Sequence, residues 1–229
     1  MTSVAVVTAG GTGSRLKSPV PKQFIPILEI PLIVHTLRAF ERSPIIDHVI
    51  LVLPERDRSK LGQNELVHFE LRKVKTVVSG GPTRQASVAN GLEAIQENPS
   101  YVAIHDAARC LVTPLLIQRA VEACKGWDGA IVGLPVRDTL KRVDQKAILK
   151  TEPREDLWAM QTPQVFRFPF IRDAYRKAMK DGFVATDDAQ VAEYIGGRMC
   201  VVEGSTANVK VTFEEDLHLA KLLLSKERH

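Results

Sequence analysis

The chain has 229 residues, and its content of 45% hydrophobic and 25% charged residues excludes a wholly disordered protein. No run of about 18 apolar residues is present, which excludes a membrane-spanning helix. The net charge of +4 comes without a basic block, and aromatic residues make up only 6%. We therefore expect a small acidic substrate, and neither a nucleic-acid nor a membrane partner.

The cysteines predict the redox setting of the protein. Cys110, Cys124 and Cys200 are far apart and form no CxxC motif, so the sequence predicts neither a zinc site nor a disulfide framework. The opening residues MTSVAVVTAGG lack the charged region of a signal peptide. We therefore expect a reducing, cytoplasmic location.

Short β-branched runs alternate with apolar residues at helical spacing, and this alternation predicts an α/β fold with a mostly parallel sheet. In chain order we predict a strand at 4–9, a helix at 31–43, strands at 48–53 and 74–78, a helix at 84–98, a strand at 101–105, a helix at 113–124, a strand at 130–134, helices at 170–180 and 187–195, a strand at 199–203 and a final helix from 212 to 224.

Three local signals add detail to this series. Thr113 ahead of Pro114 predicts an N-cap followed by proline in the first helical turn. The series Thr212-Phe213-Glu214-Glu215 predicts a capping box. The stretch 138–154 is alternating and highly charged, which predicts an exposed β-hairpin rather than core.

Ligands of parallel sheets lie beyond the carboxyl ends of the strands, so the loops after the strands are the candidate sites. The first of them, 9–15, is rich in glycine and leads to the cations Arg15 and Lys22. It lacks the third glycine of a dinucleotide fingerprint, because Leu16 stands there, and it lacks the Gly-Lys-Ser/Thr of a P-loop. What remains indicates either an anion-binding nest or an ordinary turn with solvated cations.

Four other segments follow strands or begin helices, and the first three of them have two interpretations each. The glycine turn at 79–87 is either a ligand-binding helix start or a simple cap. Asp106 either holds Mg²⁺ between phosphates or pairs with Arg109, and His105 beside it is expected to be a core residue. Lys210 is either a third inward cation or a surface lysine, whereas the acids at 187–188 suit a helix dipole.

A series of segments occurs in a fixed order: AGGTGSR with PKQ, GGxxRxxSV, HDAAR, PVRDTLKR, LWAMQTPQ, TDD and NVKVT. Together they closely resemble the 2-C-methyl-D-erythritol 4-phosphate cytidylyltransferases of the non-mevalonate isoprenoid pathway, over nearly the whole chain. The ribitol-5-phosphate cytidylyltransferases share PKQ and TPQ, but PVRDTLKR and LWAMQTPQ are more similar to the methylerythritol enzymes.

The resemblance implies a three-layer, Rossmann-like nucleotidyltransferase fold with a mixed, mainly parallel sheet, formed by one domain over 1–229. A protruding β-arm at about 137–156 would join two copies into a homodimer. The implied reaction uses Mg²⁺ and converts CTP and methylerythritol phosphate into 4-CDP-2-C-methyl-D-erythritol and pyrophosphate. An alternative acceptor is another polyol phosphate, such as ribitol 5-phosphate.

The same resemblance assigns roles to individual residues by motif. Arg15 and Lys22 would stabilise the transition state, Arg154 and Lys210 would position the sugar phosphate, and Asp106 would hold the metal. Residues implied to bind the nucleotide are Ala9, Gly10, Gly11, Thr12, Gly13, Ser14, Gly81, Arg84 and Ser87. Residues implied to bind the substrate are Arg109, Thr139, Thr162 and Thr186, with Thr139, Arg154 and Arg137 reaching the other subunit's site from the arm.

The chain departs from the family pattern at two positions. Cys110 follows HDAAR where the family usually has proline, which predicts a looser loop without loss of activity. Ala207 precedes the Asn-x-Lys motif where many members have aspartate, so the ion is assigned to Asp106 alone. Two rival interpretations are a nicotinamide-dependent oxidoreductase, which the broken glycine fingerprint disfavours, and a non-catalytic nucleotide sensor.

Overall fold

A computed structural model of the chain describes residues 1–11, 14–16 and 18–226, and for Ser14 the backbone alone. The strands are β1 (Ser3–Thr8), β2 (Pro26–Ile27), β3 (Ile30–Pro31), β4 (His48–Leu53), β5 (Val74–Ser79), β6 (Tyr101–Asp106), β7 (Gly129–Pro135), β8 (Leu140–Asp144), β9 (Ala147–Glu152), β10 (Trp158–Arg167) and β11 (Met199–Glu203). The helices are α1 (Leu32–Arg42), α2 (Gln63–His68), α3 (Arg84–Glu93), α4 (Pro114–Ala123), α5 (Phe168–Asp181), α6 (Asp188–Tyr194) and α7 (Glu214–Lys226). Short 3₁₀ helices cover Ser14–Leu16, Lys22–Phe24 and Glu55–Leu61.

Seven strands form one sheet in the order β11-β7-β10-β6-β1-β4-β5. Strand β10 is antiparallel to both of its neighbours, and the other neighbouring strands are parallel. The predicted α/β fold with a mixed, mainly parallel sheet is therefore confirmed. Within the described residues no helix has the length and apolar character needed to cross a membrane.

Helices cover both faces of the sheet, which explains why the central strands are apolar without interruption. In β1, Ala5 and Val7 join the apolar cluster that also contains residues of α1 and α4. Val4 and Val6 point the opposite way, into the cluster that contains residues of α3, α5 and α6. A strand buried on both faces needs hydrophobic residues at every position, as Ser3–Thr8 very nearly has.

Strand β10 is the main element that the sequence did not predict. Its middle carries Gln161, Thr162 and Gln164, all buried, and its register against β7 shifts between Met160 and Gln164. Buried polar residues at a bulge break the apolar pattern of a core strand. Also unpredicted were α2, the β2–β3 pair and the 3₁₀ helices, and α3 ends at Glu93 rather than at 98.

The predicted capping box at the last helix is wrong, because the acid that binds the backbone there is Asp216 and not Glu215. Helix α7 begins at Glu214, and the carboxylate that serves its start belongs to Asp216. Asp216 Oδ2 accepts hydrogen bonds from the backbone N–H groups of Thr212 and Phe213, each at 2.8 Å. The predicted cap at Thr113 is confirmed, because its side chain accepts from the N–H of Leu116 at the start of α4.

The charged stretch forms the predicted hairpin. Strands β8 and β9 pair antiparallel in a two-stranded sheet of their own, and their residues are exposed or half-exposed. Gln145 and Lys146 between them have φ values of 42° and 73°, which is the left-handed conformation of a tight hairpin turn.

Gly91 lets α3 lie close against the sheet. A Cβ atom at this position would stand 2.5 Å from Val6 Cγ1 and 2.9 Å from Val52 Cγ2. We expect Gly91→Ala to lower the free energy of unfolding by about 1–3 kcal/mol in urea titrations, although alanine favours helices. Combining it with Val6→Ala supplies a control, because the double variant should lose less than the sum of the two single losses. Strict additivity would contradict the contact as the cause.

Candidate active site

The loops that follow the parallel strands meet around one cavity of about 290 Å³ at the carboxyl edge of the sheet. Of the residues predicted to bind ligands, those that line it are Ala9, Gly10, Gly11, Arg15, Lys22, Gly81, Arg84, Ser87, Asp106 and Lys210. Thr12, Gly13 and the side chain of Ser14 lie outside the described residues. The carboxyl-edge rule therefore located the cavity from the sequence alone.

The turn after β5 is shaped by its two glycines and by Ser87. A Cβ atom on Gly80 would stand 2.8 Å from Ser87 Oγ, and one on Gly81 would stand 2.5 Å from Ala86 Cβ. Ser87 Oγ accepts from the N–H of Gly81 at 3.1 Å and donates to the carbonyl of Thr83 at 2.9 Å. The buried hydroxyl thus fixes the start of α3 at the wall of the cavity.

Two cations come from the first loop and its continuation. Lys22 begins a 3₁₀ helix, and its Nζ donates to the carbonyl of Val211 at 2.9 Å. Burial and the nearby ammonium of Lys210 lower the pKa of Lys22. The Arg15 guanidinium is exposed and lies 5.5 Å from the ring centroid of Phe213. Both groups therefore present positive charge to the same cavity.

Asp106 ends β6 and is held by two cations. Arg84 Nε donates to its Oδ1 at 2.9 Å, and Lys210 Nζ donates to its Oδ2 at 2.6 Å. Burial alone would raise the pKa of Asp106, but Arg84 and Lys210 outweigh it and hold this pKa well below its usual value. The carboxylate is therefore ionised at neutral pH. It is the only carboxylate among the described residues that line the cavity.

The alternative pairing of Asp106 with Arg109 is wrong. Arg109 Nη1 instead donates to the carbonyl of Asn208 at 2.8 Å, and Nη2 lies 3.5 Å from the carbonyl of Met160. Arg109 therefore links the loop before Lys210 to strand β10. Of the two interpretations of Lys210, the inward cation is correct, because its ammonium binds Asp106. Its side chain nevertheless remains 44% exposed.

His105 lies in the core, as expected. Its side chain is fully buried; Nδ1 lies 3.0 Å from Thr162 Oγ1, and Nε2 lies 3.3 Å from the carbonyl of Arg109. Burial lowers the pKa of His105 to about 3, from an ordinary value of 6.5. The imidazole is therefore neutral at pH 7.

This histidine makes a pH dependence of stability testable. Between the two pKa values of 6.5 and about 3, the unfolded chain binds a proton at His105 that the folded chain does not. Stability therefore rises with pH in this window, and we expect a loss of roughly 1–2 kcal/mol on acidification from pH 6.5 to about pH 5. His105→Gln should flatten that slope in urea titrations. An unchanged slope in His105→Gln would contradict the assignment.

Comparison with known proteins decides the family. The family model of 2-C-methyl-D-erythritol 4-phosphate cytidylyltransferase, IspD, matches residues 3–226 of the chain. The chain belongs to this family. A protein of that name from Syntrophotalea carbinolica is 42% identical over 225 residues, which cover 98% of this chain and 97% of that protein. Another, from Halalkalibacterium halodurans, is 40% identical over 225 residues and 97% of each chain.

Solved structures of cytidylyltransferases are similar to this chain in fold. The crystal structure of the 2-C-methyl-D-erythritol 4-phosphate cytidylyltransferase from Thermus thermophilus is 32% identical with a TM-score of 0.80, covering 96% of this chain and 98% of that chain. The 4-diphosphocytidyl-2C-methyl-D-erythritol synthase from Anaerococcus prevotii is 27% identical with a TM-score of 0.84 over 98% of both chains. The predicted nucleotidyltransferase fold is thereby confirmed.

The two departures from the family pattern are both accommodated. Cys110 is 3% exposed within an apolar cluster that contains Leu111 and Val211, so it packs there as a small hydrophobic residue. Burial raises the pKa of its thiol to about 12. Ala207 lies in the turn before Asn208, and its carbonyl accepts from the N–H of Val209 at 2.7 Å. The turn that delivers Lys210 is therefore formed without an acid at 207.

Other residues that the resemblance singled out lie outside the cavity lining of this chain. Thr162 is buried behind Asp106, where its Oγ1 accepts from the N–H of Asp106 at 3.1 Å. Thr186 is exposed and donates to Gln190 Oε1 at 3.1 Å. Thr139 and Arg154 flank the exposed hairpin, and Arg154 Nη1 donates to the carbonyl of Arg137. The chain by itself does not bring these last two to Asp106.

The residue that sequence reasoning missed is Asp188, interpreted only as an acid at a helix start. It is fully buried and accepts two hydrogen bonds from Arg84. The sequence held one signal for a second role: Asp188 follows Asp187, although one N-cap residue is enough to begin a helix. The partner of Asp188 could not be inferred, because Arg84 is 104 positions away.

Within the described residues no three side chains of His, Cys, Asp or Glu cluster as a metal site. Asp106 offers one ionised carboxylate, with its two oxygens bound to cations. Mg²⁺ commonly takes one or two carboxylates and completes its shell with phosphates and water. The donor set of the cavity therefore fits an ion that arrives with a phosphate-rich ligand.

Proposed function

We propose that this chain transfers the cytidylyl group of CTP to 2-C-methyl-D-erythritol 4-phosphate, giving 4-CDP-2-C-methyl-D-erythritol and pyrophosphate for isoprenoid precursor synthesis. One observation carries the proposal: Arg15, Lys22 and Lys210 line one cavity at the sheet edge together with the ionised carboxylate of Asp106, in a chain of the cytidylyltransferase family. Such a cavity suits two anionic substrates far better than a neutral one.

The reaction needs no general base. The acceptor phosphate has a second pKa of about 6 and is largely dianionic at pH 7. One of its oxygens attacks the α-phosphorus of CTP, a new P–O bond forms, and the bond to the β-phosphate oxygen breaks. Pyrophosphate leaves with that electron pair. The neutral, fully buried His105 is accordingly not required as a base.

The chief difficulty is electrostatic, since two anions must meet while negative charge builds on the phosphoryl oxygens. Preplaced cations lower this barrier, as in phosphoryl transfer generally. Arg15 supplies a planar fork of donors, and Lys22 supplies a compact charge. The glycine-rich segment and the Gly81–Ser87 turn hold the nucleotide through backbone N–H groups and Ser87. Lys210, together with Arg154 of a partner subunit, positions the sugar phosphate, and Arg109, Thr162 and Thr186 contribute to the substrate pocket.

Mg²⁺ fits this chemistry at Asp106. When bound, the ion neutralises charge on the phosphates of CTP. Asp106 would be its protein ligand, and the cations Arg84 and Lys210 keep that carboxylate ionised. Ala207 supplies no second ligand.

The acceptor site is completed, in this proposal, by a second copy of the chain. The exposed hairpin and its flanks form an arm at about 137–156 of a single 1–229 domain. Thr139, Arg154 and Arg137 of one subunit would reach the substrate of the other. This arrangement explains why Arg154 and Arg137 do not line the cavity of their own subunit. A cytoplasmic location is consistent with three cysteines that are all free thiols.

The direct test incubates purified protein with CTP, MgCl₂ and methylerythritol phosphate and follows the CDP-alcohol by ³¹P NMR. We expect stoichiometric CDP-alcohol and pyrophosphate. Ribitol 5-phosphate in place of the acceptor should give turnover at least about tenfold lower. No product with methylerythritol phosphate would refute the proposal. Faster turnover of ribitol 5-phosphate would establish the alternative acceptor, and CTP binding without turnover would establish a nucleotide sensor.

A further inference from the structure

Asp188, the first residue of α6, is a buried acid with a specific set of partners. Its side chain is 0% exposed, and its two carboxylate oxygens accept from Arg84 Nη1 at 2.9 Å and Nη2 at 2.7 Å. The hydroxyl of Tyr175, on α5, donates to Oδ1 at 2.5 Å. A buried charge is costly unless it is paired and hydrogen-bonded, and these contacts supply both requirements.

Helix capping does not account for this acid. The N-cap of α6 is the neighbouring Asp187, whose Oδ1 accepts from the N–H of Gln190 at 2.9 Å. Oδ2 of Asp187 accepts from Gln164 Nε2 at 2.9 Å. Asp188 is therefore not needed to begin the helix, and its carboxylate is directed to Arg84 instead.

Arg84 connects this buried acid to the cavity. Its terminal nitrogens are bound by Asp188, which does not line the cavity, while its Nε donates to Asp106. Asp106 in turn binds Lys210. Charges thus alternate from the core to the cavity mouth, and we call the four residues Asp188, Arg84, Asp106 and Lys210 the charge series.

The electrostatics of the charge series favour a fixed geometry. Burial disfavours the charged form of Arg84, but Asp188 and Asp106 outweigh it and raise the pKa of the guanidinium. Three of its five N–H groups are directed at carboxylates, and the bidentate contact with Asp188 fixes the plane of the fork. Arg84 is thereby oriented to hold Asp106.

We propose that Asp188 and Tyr175 are positioning residues for the transfer reaction: they lock Arg84, so that Asp106 stands where the metal ion is bound and Lys210 stands where the acceptor phosphate is bound. This inference rests on the proposed function. It predicts that loosening Asp188 disturbs the acceptor side of the site, whereas the glycine-rich segment and Ser87 continue to hold CTP.

The test is a double-variant cycle of Asp188→Asn and Arg84→Ala, assayed by pyrophosphate release at a temperature where circular dichroism shows each variant folded. In Asp188→Asn an amide N–H group faces the guanidinium in place of one oxygen. We expect kcat to fall by about 10- to 100-fold and KM for methylerythritol phosphate to rise, with Kd for CTP changed less than about twofold. In the Arg84→Ala background, Asp188→Asn should lower kcat no further.

Stability supplies a second readout of the same coupling. Arg84→Ala leaves the Asp188 carboxylate buried and unpaired, so it should lower Tm, and adding Asp188→Asn should restore part of that loss. Asp187→Ala is the control, because it removes the side-chain cap of α6 without touching Arg84. It should lower Tm and leave kcat of the folded enzyme unchanged. Tyr175→Phe removes only the hydroxyl and replaces Asp188→Asn in the test if that variant does not fold. We expect Tyr175→Phe to lower kcat by about three- to tenfold.

The outcomes separate cleanly. Wild-type kcat in folded Asp188→Asn or Tyr175→Phe, or losses that multiply in the Arg84→Ala background, would overturn the positioning role alone, provided that the wild-type enzyme makes CDP-alcohol. Equal losses of kcat in Asp187→Ala and Asp188→Asn would also overturn it, because a general loosening of α6 would then be the cause. Absence of product with the wild-type protein would overturn the proposed function itself.

Discussion

Replacing Lys22 with alanine is expected to lower kcat by about a hundredfold or more, because one preplaced donor to a developing phosphoryl charge is worth on the order of 3 kcal/mol. CTP binding should survive, since the glycine-rich segment and the turn at Gly81 remain. The position of Lys22 supports a large effect: its ammonium is partly buried, lies in the cavity wall and is fixed by the carbonyl of Val211. Turnover at saturating substrates and calorimetric titration with CTP measure the two quantities separately.

Two variants control this experiment. Lys177→Ala removes an exposed lysine that pairs with Asp181 on α5, and it should leave kcat unchanged. Lys22→Arg keeps the charge with a different shape and should recover part of the lost rate. Near-wild-type kcat in Lys22→Ala would remove this lysine from the mechanism, and a large rise in Kd for CTP with unchanged kcat would make it a binding residue only.

Mixing two inactive variants should restore activity if the arm completes the partner's site. Subunits with Lys22→Ala and subunits with Arg154→Ala are each defective, but a mixed dimer contains one site with an intact Lys22 and an intact Arg154 from the partner. Random reassortment makes half of the dimers mixed, so we expect roughly a quarter of the wild-type activity. The measurement is pyrophosphate release after co-refolding or prolonged exchange of the two variants.

A second mixture tests whether the recovery reports shared sites. Lys22→Ala and Arg15→Ala both alter a subunit's own cavity, so every site in their mixed dimer lacks one of the two cations. This mixture should stay as inactive as its components. Recovery in both mixtures would point to an artefact of refolding, and recovery in neither would contradict the proposed role of the arm.

The sheet edge and most of the cavity were predictable because local rules govern them. Strands such as β1 are buried on both faces and are apolar through their middle, from Val4 to Val7, so they are visible in the sequence. The carboxyl-edge rule then locates the loops, and short polar motifs in those loops supply Lys22 and Asp106. None of these steps needs knowledge of a distant contact.

The remainder depends on contacts between distant residues. Strand β10 was missed because polar groups replace the usual apolar pattern in its middle. Thr162 accepts from the N–H of Asp106, and Gln161 binds Ser205 and Asn208 in the turn before Lys210. Asp188 was interpreted as a simple helix-start acid because its partner Arg84 lies in another helix. Spacing within a motif predicts neither a bulge that serves a site nor a buried ion pair between two helices.

A crystal structure with CTP bound tests the central claim most directly. The account predicts that the triphosphate lies against the glycine-rich segment, with the Arg15 guanidinium and the Lys22 ammonium within hydrogen-bond distance of its phosphate oxygens and Asp106 nearby. A triphosphate bound elsewhere, with both of those side chains turned to bulk solvent, would contradict it.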